Sequence, residues 1–200
     1  TFGGTSTGIS IPSGVTALTN LTINNSNGVT LTSSPVLSGG LALNNGNLIL
    51  GDNNVTVTGT ISTSATFNNT HMIVTDGSGS LIKLGTAAAN YQITYPLGTG
   101  TYYTPMVIST LAAGAYNGNI TVRAVAGRNP NLPFSYDGLL KYWEVAATGI
   151  TGITNAQLTF QFNTGEVIGS SANYVPRIWN GSAFVAPGNP TAAGANPFGT

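Results

Sequence analysis

The segments LTINNSNGVTL (residues 21–31) and LALNNGNLIL (residues 41–50) repeat one phrase, an apolar residue followed by Asn-Asn-x-Asn, after 20 residues. Between such phrases apolar and polar residues alternate, as in the Val-Thr-Val of residues 55–57. In a β-strand this alternation points the valines inward and the threonine outward. A phrase that recurs at a period near 20 is typical of a solenoid, in which successive coils stack.

Three series of apolar residues run through this region at steps of 19 or 20 residues. They are Leu21, Leu41, Ile61 and Leu81; Val29, Leu48 and Phe67; and Val36, Val55 and Val74. Three short strands per period are what a three-sided parallel β-helix requires. Upstream, Ile9, Ile11 and Val15 add most of a coil, so the solenoid is predicted from about residue 9 to about residue 85.

The repeated asparagines are predicted to form stacked corners. Asparagine tolerates left-handed backbone, and its amide can hydrogen-bond along a stack. The expected stacked pairs are Asn24 over Asn44, Asn25 over Asn45, and Asn27 over Asn47.

Beyond residue 90 the spacing of 20 disappears and the apolar segments become longer. They are YQITYPLG, YYTPMVIST, GNITVRAVAG, LLKYWEVAA, AQLTFQFN and YVPRIWNGSAFVA. Six segments separated by Gly, Asn and Pro predict an antiparallel β-sandwich. Both tryptophans lie in this half, which favours a separate core. The expected organisation is a β-helix over residues 1–88, a sandwich over 89–186 and an extended tail or linker over 187–200.

The order of these phrases resembles that of repetitive secreted and cell-surface proteins of Bacteroidota. The phrases that carry the resemblance are the Asn- and Thr-rich repeats, then YPLGTGTYYTPMVIS, KYWEV and YVPRIWNGSAFV. The resemblance implies a β-helix leading into an immunoglobulin-like sandwich, and export by the type IX secretion system. It also implies a role in adhesion or extracellular assembly, with no catalytic residues.

The charge balance argues against several classes of partner. Five basic and five acidic residues give a net charge of zero, and the basic residues are scattered, so nucleic acid is not expected as a partner. No apolar run is long enough for a membrane-spanning helix, and membrane insertion is not expected. Abundant Thr, Asn and Gly with scarce Lys and Glu are typical of exported proteins, and an extracellular or cell-surface location is predicted.

Residues suited to catalysis are sparse. His71 is the only histidine, and Asp76 near it lies in TDGSGS, which is typical of a turn. Residues 9–85 offer only Asp52, Asp76 and Lys83 for an outward catalytic face, so an enzyme is not expected. No cofactor is predicted, and a weak calcium site at GDNN and TDGSGS is left as an alternative.

Lys141 and Glu144 lie three residues apart on a predicted strand, hence on opposite faces, which makes them poor partners for each other and leaves either able to meet a distant group. A snorkelling lysine is one interpretation of Lys141. An intramolecular crosslink from Lys141 to an asparagine is the other.

These observations predict two alternative functions. The first is a non-enzymatic structural subunit or repeat of an extracellular filament or surface adhesin, associating head to tail with copies of itself through terminal segments. Its expected assembly residues are Thr1, Phe2, Ile9, Ile11, Pro197 and Phe198. The alternative is a module that binds carbohydrate or ice. Its expected contact residues are Thr22, Thr30, Thr56, Thr58, Tyr102 and Tyr103.

Overall fold

Alternating apolar and polar residues build the first part of the chain into short strands that stack on one another. A computed structural model describes residues 1–84 and 92–187. Over the described residues the protein is all-β, with 47% strand and 3% helix, and it contains a parallel β-solenoid of about four turns. This part of the fold was predicted correctly.

Each coil contributes three strands. The first coil holds β1 (Phe2–Gly4), β2 (Ser10–Ile11) and β3 (Ala17–Leu18). The second holds β4 (Leu21–Asn25), β5 (Val29–Leu31) and β6 (Val36–Leu37). The third holds β7 (Leu41–Asn45), β8 (Leu48–Ile49) and β9 (Val55–Val57). The fourth holds β10 (Ile61–Ser62), β11 (Ile73–Val74) and β12 (Leu81–Leu84).

The three strands of a coil enter three different sheets, which gives the solenoid its three sides. Sheet A has the order β1-β4-β7-β10, and the parallel strands β2-β5-β8-β11 belong to sheet B. The parallel strands β3-β6-β9-β12 belong to sheet C. The solenoid already includes Phe2, which pairs with Ile23, whereas it was predicted from about residue 9.

The register confirms the first predicted series except at its end. Leu41 pairs with both Leu21 and Ile61 in sheet A. Leu81 lies instead in sheet C beside Val55. The step of 20 fails here because the fourth coil contains a longer corner, from Thr63 to Met72, between its first two strands.

The other two series are also partly wrong, the second because of the same long corner and the third because its register differs by one residue. Leu48 pairs with Val29 as expected, but its partner in the fourth coil is Ile73, and Phe67 lies outside the strands and packs against the core. In the third series Val36 points outward and is 45% exposed. Its neighbour Leu37 is the buried residue, paired with a valine of β9.

The remaining strands are mostly antiparallel. They are β13 (Ile93–Tyr95), β14 (Leu97–Gly98), β15 (Met106–Ala112), β16 (Ala115–Ala126), β17 (Gly138–Leu139), β18 (Lys141–Thr151), β19 (Asn155–Phe160), β20 (Val167–Ile168), β21 (Ile178–Trp179) and β22 (Phe184–Val185). Single 3-10 turns span Thr164–Glu166 and Ser171–Asn173. The immunoglobulin-like topology predicted for this half stays a prediction.

Two solenoid sheets continue into this second half. Strand β14 extends sheet B in parallel beside β11, while β16 pairs antiparallel with β12, and β18 lies beyond β16 in sheet C. Strands β13, β15 and β19 form a separate three-stranded sheet, and β17-β20 and β21-β22 form two small ones. The predicted boundary near residue 88 is therefore spanned by shared sheets.

One hydrophobic core serves both halves. Buried side chains of the solenoid, such as Ile11 and Leu48, belong to the same cluster as Tyr95 and Val122 of the second half. The expectation of a separate core was wrong, because β14 and β16 carry their apolar faces directly onto the solenoid interior. Trp143 lies at the margin of this core, 5.0 Å from the ring of Phe160.

Candidate functional site

The corner asparagines attach each coil to a neighbouring one. The buried Asn25 donates from Nδ2 to the carbonyl of Ser6 at 2.9 Å, and Asn27 donates in the same way to Thr5. Asn47 reaches the carbonyl of Asn69 at 3.0 Å. The amides therefore bond along the stack as predicted, and their partners are backbone carbonyls of other coils.

Two details of the corner prediction were wrong. A register shift after Ile23 sets Asn24 opposite Asn45 instead of Asn44. No residue other than glycine has positive φ in the described part of the chain, and Gly28 and Gly46 take that conformation at these corners. Glycine adopts it without the steric penalty of a Cβ atom.

The first coil presents the outer edge of all three sheets. Strands β1, β2 and β3 are each terminal in their sheet, with one partner strand within the described residues. The carbonyls of Thr16 and Leu18 accept from Val36 and Ser38 of the next coil, both at 3.0 Å. Neighbouring residues in a strand direct their backbone groups to opposite sides, so Ala17 between them faces the open side.

The predicted assembly residues occupy different environments at this edge. Thr1 is exposed, and Phe2 and Ile9 are half-buried against the core. Ile11 is fully buried and lies beside Leu31 of the second coil, so it supports the edge from inside. Residues 1–10 form part of the first coil rather than a detached arm. Pro197 and Phe198 lie outside the described residues.

The outward threonines do not form continuous rows. All four of the predicted contact threonines are half-buried on the outer faces. Across the sheets, the register places Ala42 beside Thr22 and Ile49 beside Thr30. Thr56 lies between Val36 and Ile82.

Tyr102 and Tyr103 lie together in an open cleft of about 680 Å³ between the long fourth-coil corner and the second half. Both side chains are half-buried, and burial raises the pKa of the Tyr103 phenol to about 12. The lining residues are Asn68, Asn69, Thr101, Tyr102, Tyr103, Gln161, Phe162 and Asn163. Sequence reasoning found the tyrosines and missed the amides, because only the folded corner and strand β19 bring them together.

A buried ion pair supports one wall of the cleft. Lys141 pairs with Glu166, and their side chains are 0% and 4% exposed. The other carboxylate oxygen of Glu166 accepts from the backbone N–H of Asn163 at 2.9 Å. Asn163 in turn donates from Nδ2 to the carbonyl of Tyr103 at 3.0 Å. Burial lowers the pKa of Lys141, and the nearby Glu166 carboxylate opposes that shift.

Lys141 and Glu144 are not paired with each other, as predicted, and each has a partner elsewhere in the sequence. Glu144 on the opposite face accepts from Arg123 at 2.7 Å, while Lys141 is held by Glu166. The partner of Lys141 is thus a carboxylate and not an asparagine.

The candidate catalytic and calcium-binding residues form hydrogen bonds with residues in turns. Asp52 accepts from the backbone and the hydroxyl of Ser78, both at 2.9 Å, and these bonds lower its pKa. Asp76 accepts from the backbone N–H of Gly51 at 3.1 Å, while Nδ1 of His71 lies 2.9 Å from the Thr70 hydroxyl.

Over residues 1–84 and 92–187, no three His, Cys, Asp or Glu side chains converge as a metal site would require. Across the same residues there is no helix with the length and apolar character needed to cross a membrane.

Comparisons of the chain with models of protein families, with curated proteins and with solved structures found no match.

Proposed function

We propose that this protein is a non-enzymatic structural subunit or repeat of an extracellular filament or surface adhesin, joined head to tail to copies of itself. The observation that carries this proposal is the first coil, in which β1, β2 and β3 each have a partner strand on one side only within the described residues. Open strand edges recruit further strands. The next strand comes from a neighbouring copy in a filament, or from a preceding repeat within one longer chain.

The zero net charge of the protein and its resemblance to Bacteroidota surface proteins support the same proposal. A net charge of zero leaves little electrostatic repulsion between copies. The resemblance to Bacteroidota surface proteins favours an extracellular or cell-surface location, and the immunoglobulin-like relation of the antiparallel half is part of this proposal. A contact between two different surfaces does not close on itself unless its rotation forms a ring, so the expected product is a fibre.

The test removes hydrogen-bond donors from the outward side of the first coil and keeps those that pair with the second coil. The carbonyl oxygen of Ile9 accepts from the backbone N–H of Thr30, so the backbone groups of Ser10, like those of Ala17, face outward. Proline at both positions removes two outward N–H donors. The double variant Ser10→Pro/Ala17→Pro is compared with Ser10→Ala/Ala17→Ser, which keeps every donor.

Electron microscopy and sedimentation velocity of the full chain are expected to show fibres for the wild type and the control. The proline variant is expected to stay monomeric with a similar melting temperature. A wild type that remains monomeric at high concentration contradicts self-association. Fibres formed equally by the proline variant exclude the first coil as the contact.

The interrupted threonine faces give little support to ice or glycan binding there, because Ala42, Ile49 and Val36 interrupt the rows. A flat repetitive surface would need threonine on successive strands.

A further inference from the structure

We propose that the cleft between the Asn68–Asn69 corner and the Tyr102–Tyr103 segment binds a neutral oligosaccharide. The cleft is formed by the fourth coil and the second half, whereas the open edges belong to the first coil. The proposal is therefore independent of head-to-tail association.

The chemistry of the lining matches that of a sugar. A sugar ring has apolar C–H faces and a rim of hydroxyl groups that both donate and accept hydrogen bonds. The cleft offers aromatic side chains at Tyr102, Tyr103 and Phe162, and carboxamides at Asn69 and Gln161. Aromatic rings contact apolar faces, and carboxamides and phenols satisfy donors and acceptors together.

Several of these polar groups are available to a ligand. Within the described residues the hydroxyls of Tyr102 and Tyr103 and the side-chain amide of Gln161 make no hydrogen bond to protein. A few convergent polar groups beside apolar rings are the usual composition of a ligand cleft.

The absence of charge in the cleft selects among ligands. Among the described residues, none that lines the cleft is acidic or basic, and the buried Lys141 and Glu166 are paired with each other. An anionic polysaccharide or a nucleic acid would find no cation to pair with. Neutral hexose chains need none.

The cleft is built before a ligand arrives. Gly165 leaves room for the Tyr102 phenol, since a Cβ at this position would lie 2.3 Å from its hydroxyl oxygen. The bond from Asn163 to the Tyr103 carbonyl fixes the next residue of the wall. Prior positioning of this kind reduces the entropy lost on binding.

The test uses the full chain with laminarin, mannan and chitohexaose as neutral probes and alginate as the anionic probe. Isothermal titration calorimetry is expected to show saturable binding to at least one neutral probe and none to alginate. Gln161→Ala removes a ligand-facing amide, and Gly165→Ala displaces the Tyr102 ring. Each is expected to weaken binding by roughly fivefold or more.

Matched controls separate binding from folding. Gln157→Ala removes the same side chain from an exposed position on β19, and Gly14→Ala adds a methyl group where no atom lies within 4 Å. Both are expected to bind as the wild type does, and all four variants should melt close to it. No binding to any neutral probe, equal binding to alginate, or unchanged binding by both cleft variants overturns the proposal.

Discussion

At the scale of single residues, two coils approach each other closely at Gly46. Its φ is +93°, and a Cβ at this position would lie 1.8 Å from the carbonyl oxygen of Asn25. The side chain of Asn25 also donates a hydrogen bond to the carbonyl of Ser6 in the first coil. Gly46 therefore permits the close contact between the second and third coils at this corner.

Replacing Gly46 with alanine is expected to destabilise the protein by roughly 3 kcal/mol or more, because strained backbone adds to a clash with main-chain atoms. Gly14→Ala is the control, since nothing lies within 4 Å of its added methyl group. Chemical denaturation measures both. Equal stability of the two variants would contradict the close approach.

The inward and outward residues of one strand should differ sharply in their tolerance of charge. Val55 is fully buried and Thr56 beside it is half-buried on the outer face. Val55→Asp is expected to cost several kcal/mol, roughly the penalty of a buried unpaired charge. Thr56→Asp is expected to change stability by less than about 1 kcal/mol. Similar losses in a thermal melt would refute the assignment of faces.

At the scale of the elements, alternation predicted the strands better than spacing predicted their partners. The Val-Thr-Val of β9 and the Leu-Thr-Ile of β4 lie with their apolar residues inward as expected. The period failed where the corner after Ile61 lengthens, because a solenoid absorbs extra residues in a corner without disturbing its strands. Corner length leaves no periodic signal, so Ile73 could not be identified as the partner of Leu48.

The cleft was only half predictable for a related reason. Tyr102 and Tyr103 are adjacent in sequence, so the aromatic pair is visible without the fold. Gln161 and Asn163 are about 60 residues away and reach the cleft only through the pairing of β15 with β19. No local pattern marks such a contact, and the same holds for Lys141 and Glu166.

The buried pair of Lys141 and Glu166 gives a prediction at this scale. Lys141→Met leaves the Glu166 carboxylate buried without its cation and is expected to cost about 3–5 kcal/mol. Lys141→Met/Glu166→Gln removes the charge while keeping an acceptor for the Asn163 N–H, and should recover at least half of that loss. Equilibrium urea denaturation measures both variants.

The exposed pair of Arg123 and Glu144 provides the comparison. Glu144 is 50% exposed at its side chain, so Glu144→Gln is expected to cost no more than about 1 kcal/mol. If Lys141→Met and Glu144→Gln lose the same free energy of unfolding, the buried pair contributes no more to stability than the exposed pair.

At the scale of the whole molecule, the shared sheets make the two halves one structural unit. Strand β16 pairs with β12 of the solenoid over four residue pairs, from Leu81 with Val122 to Leu84 with Asn119. Because buried side chains of both halves form one hydrophobic cluster, unfolding of either half would expose buried residues of the other.

The chain is therefore expected to unfold in one cooperative transition. Both tryptophans lie in the second half, so their fluorescence reports on that half alone, while far-ultraviolet circular dichroism reports on all strands. The two melting curves should coincide. Two separate transitions would mean that the halves fold independently.

The stacking of equivalent coils also has a consequence for how a gene of this kind changes. Strands β4, β5 and β6 of residues 21–37 have near-equivalent neighbours on either side. An in-frame duplication of the codons for residues 21–40 would insert a coil whose backbone donors and apolar ladders meet matching ones above and below. Slippage during replication would therefore be expected to give longer or shorter molecules that still fold. The cleft, which uses only the fourth coil and the antiparallel half, would be inherited unaltered at any length.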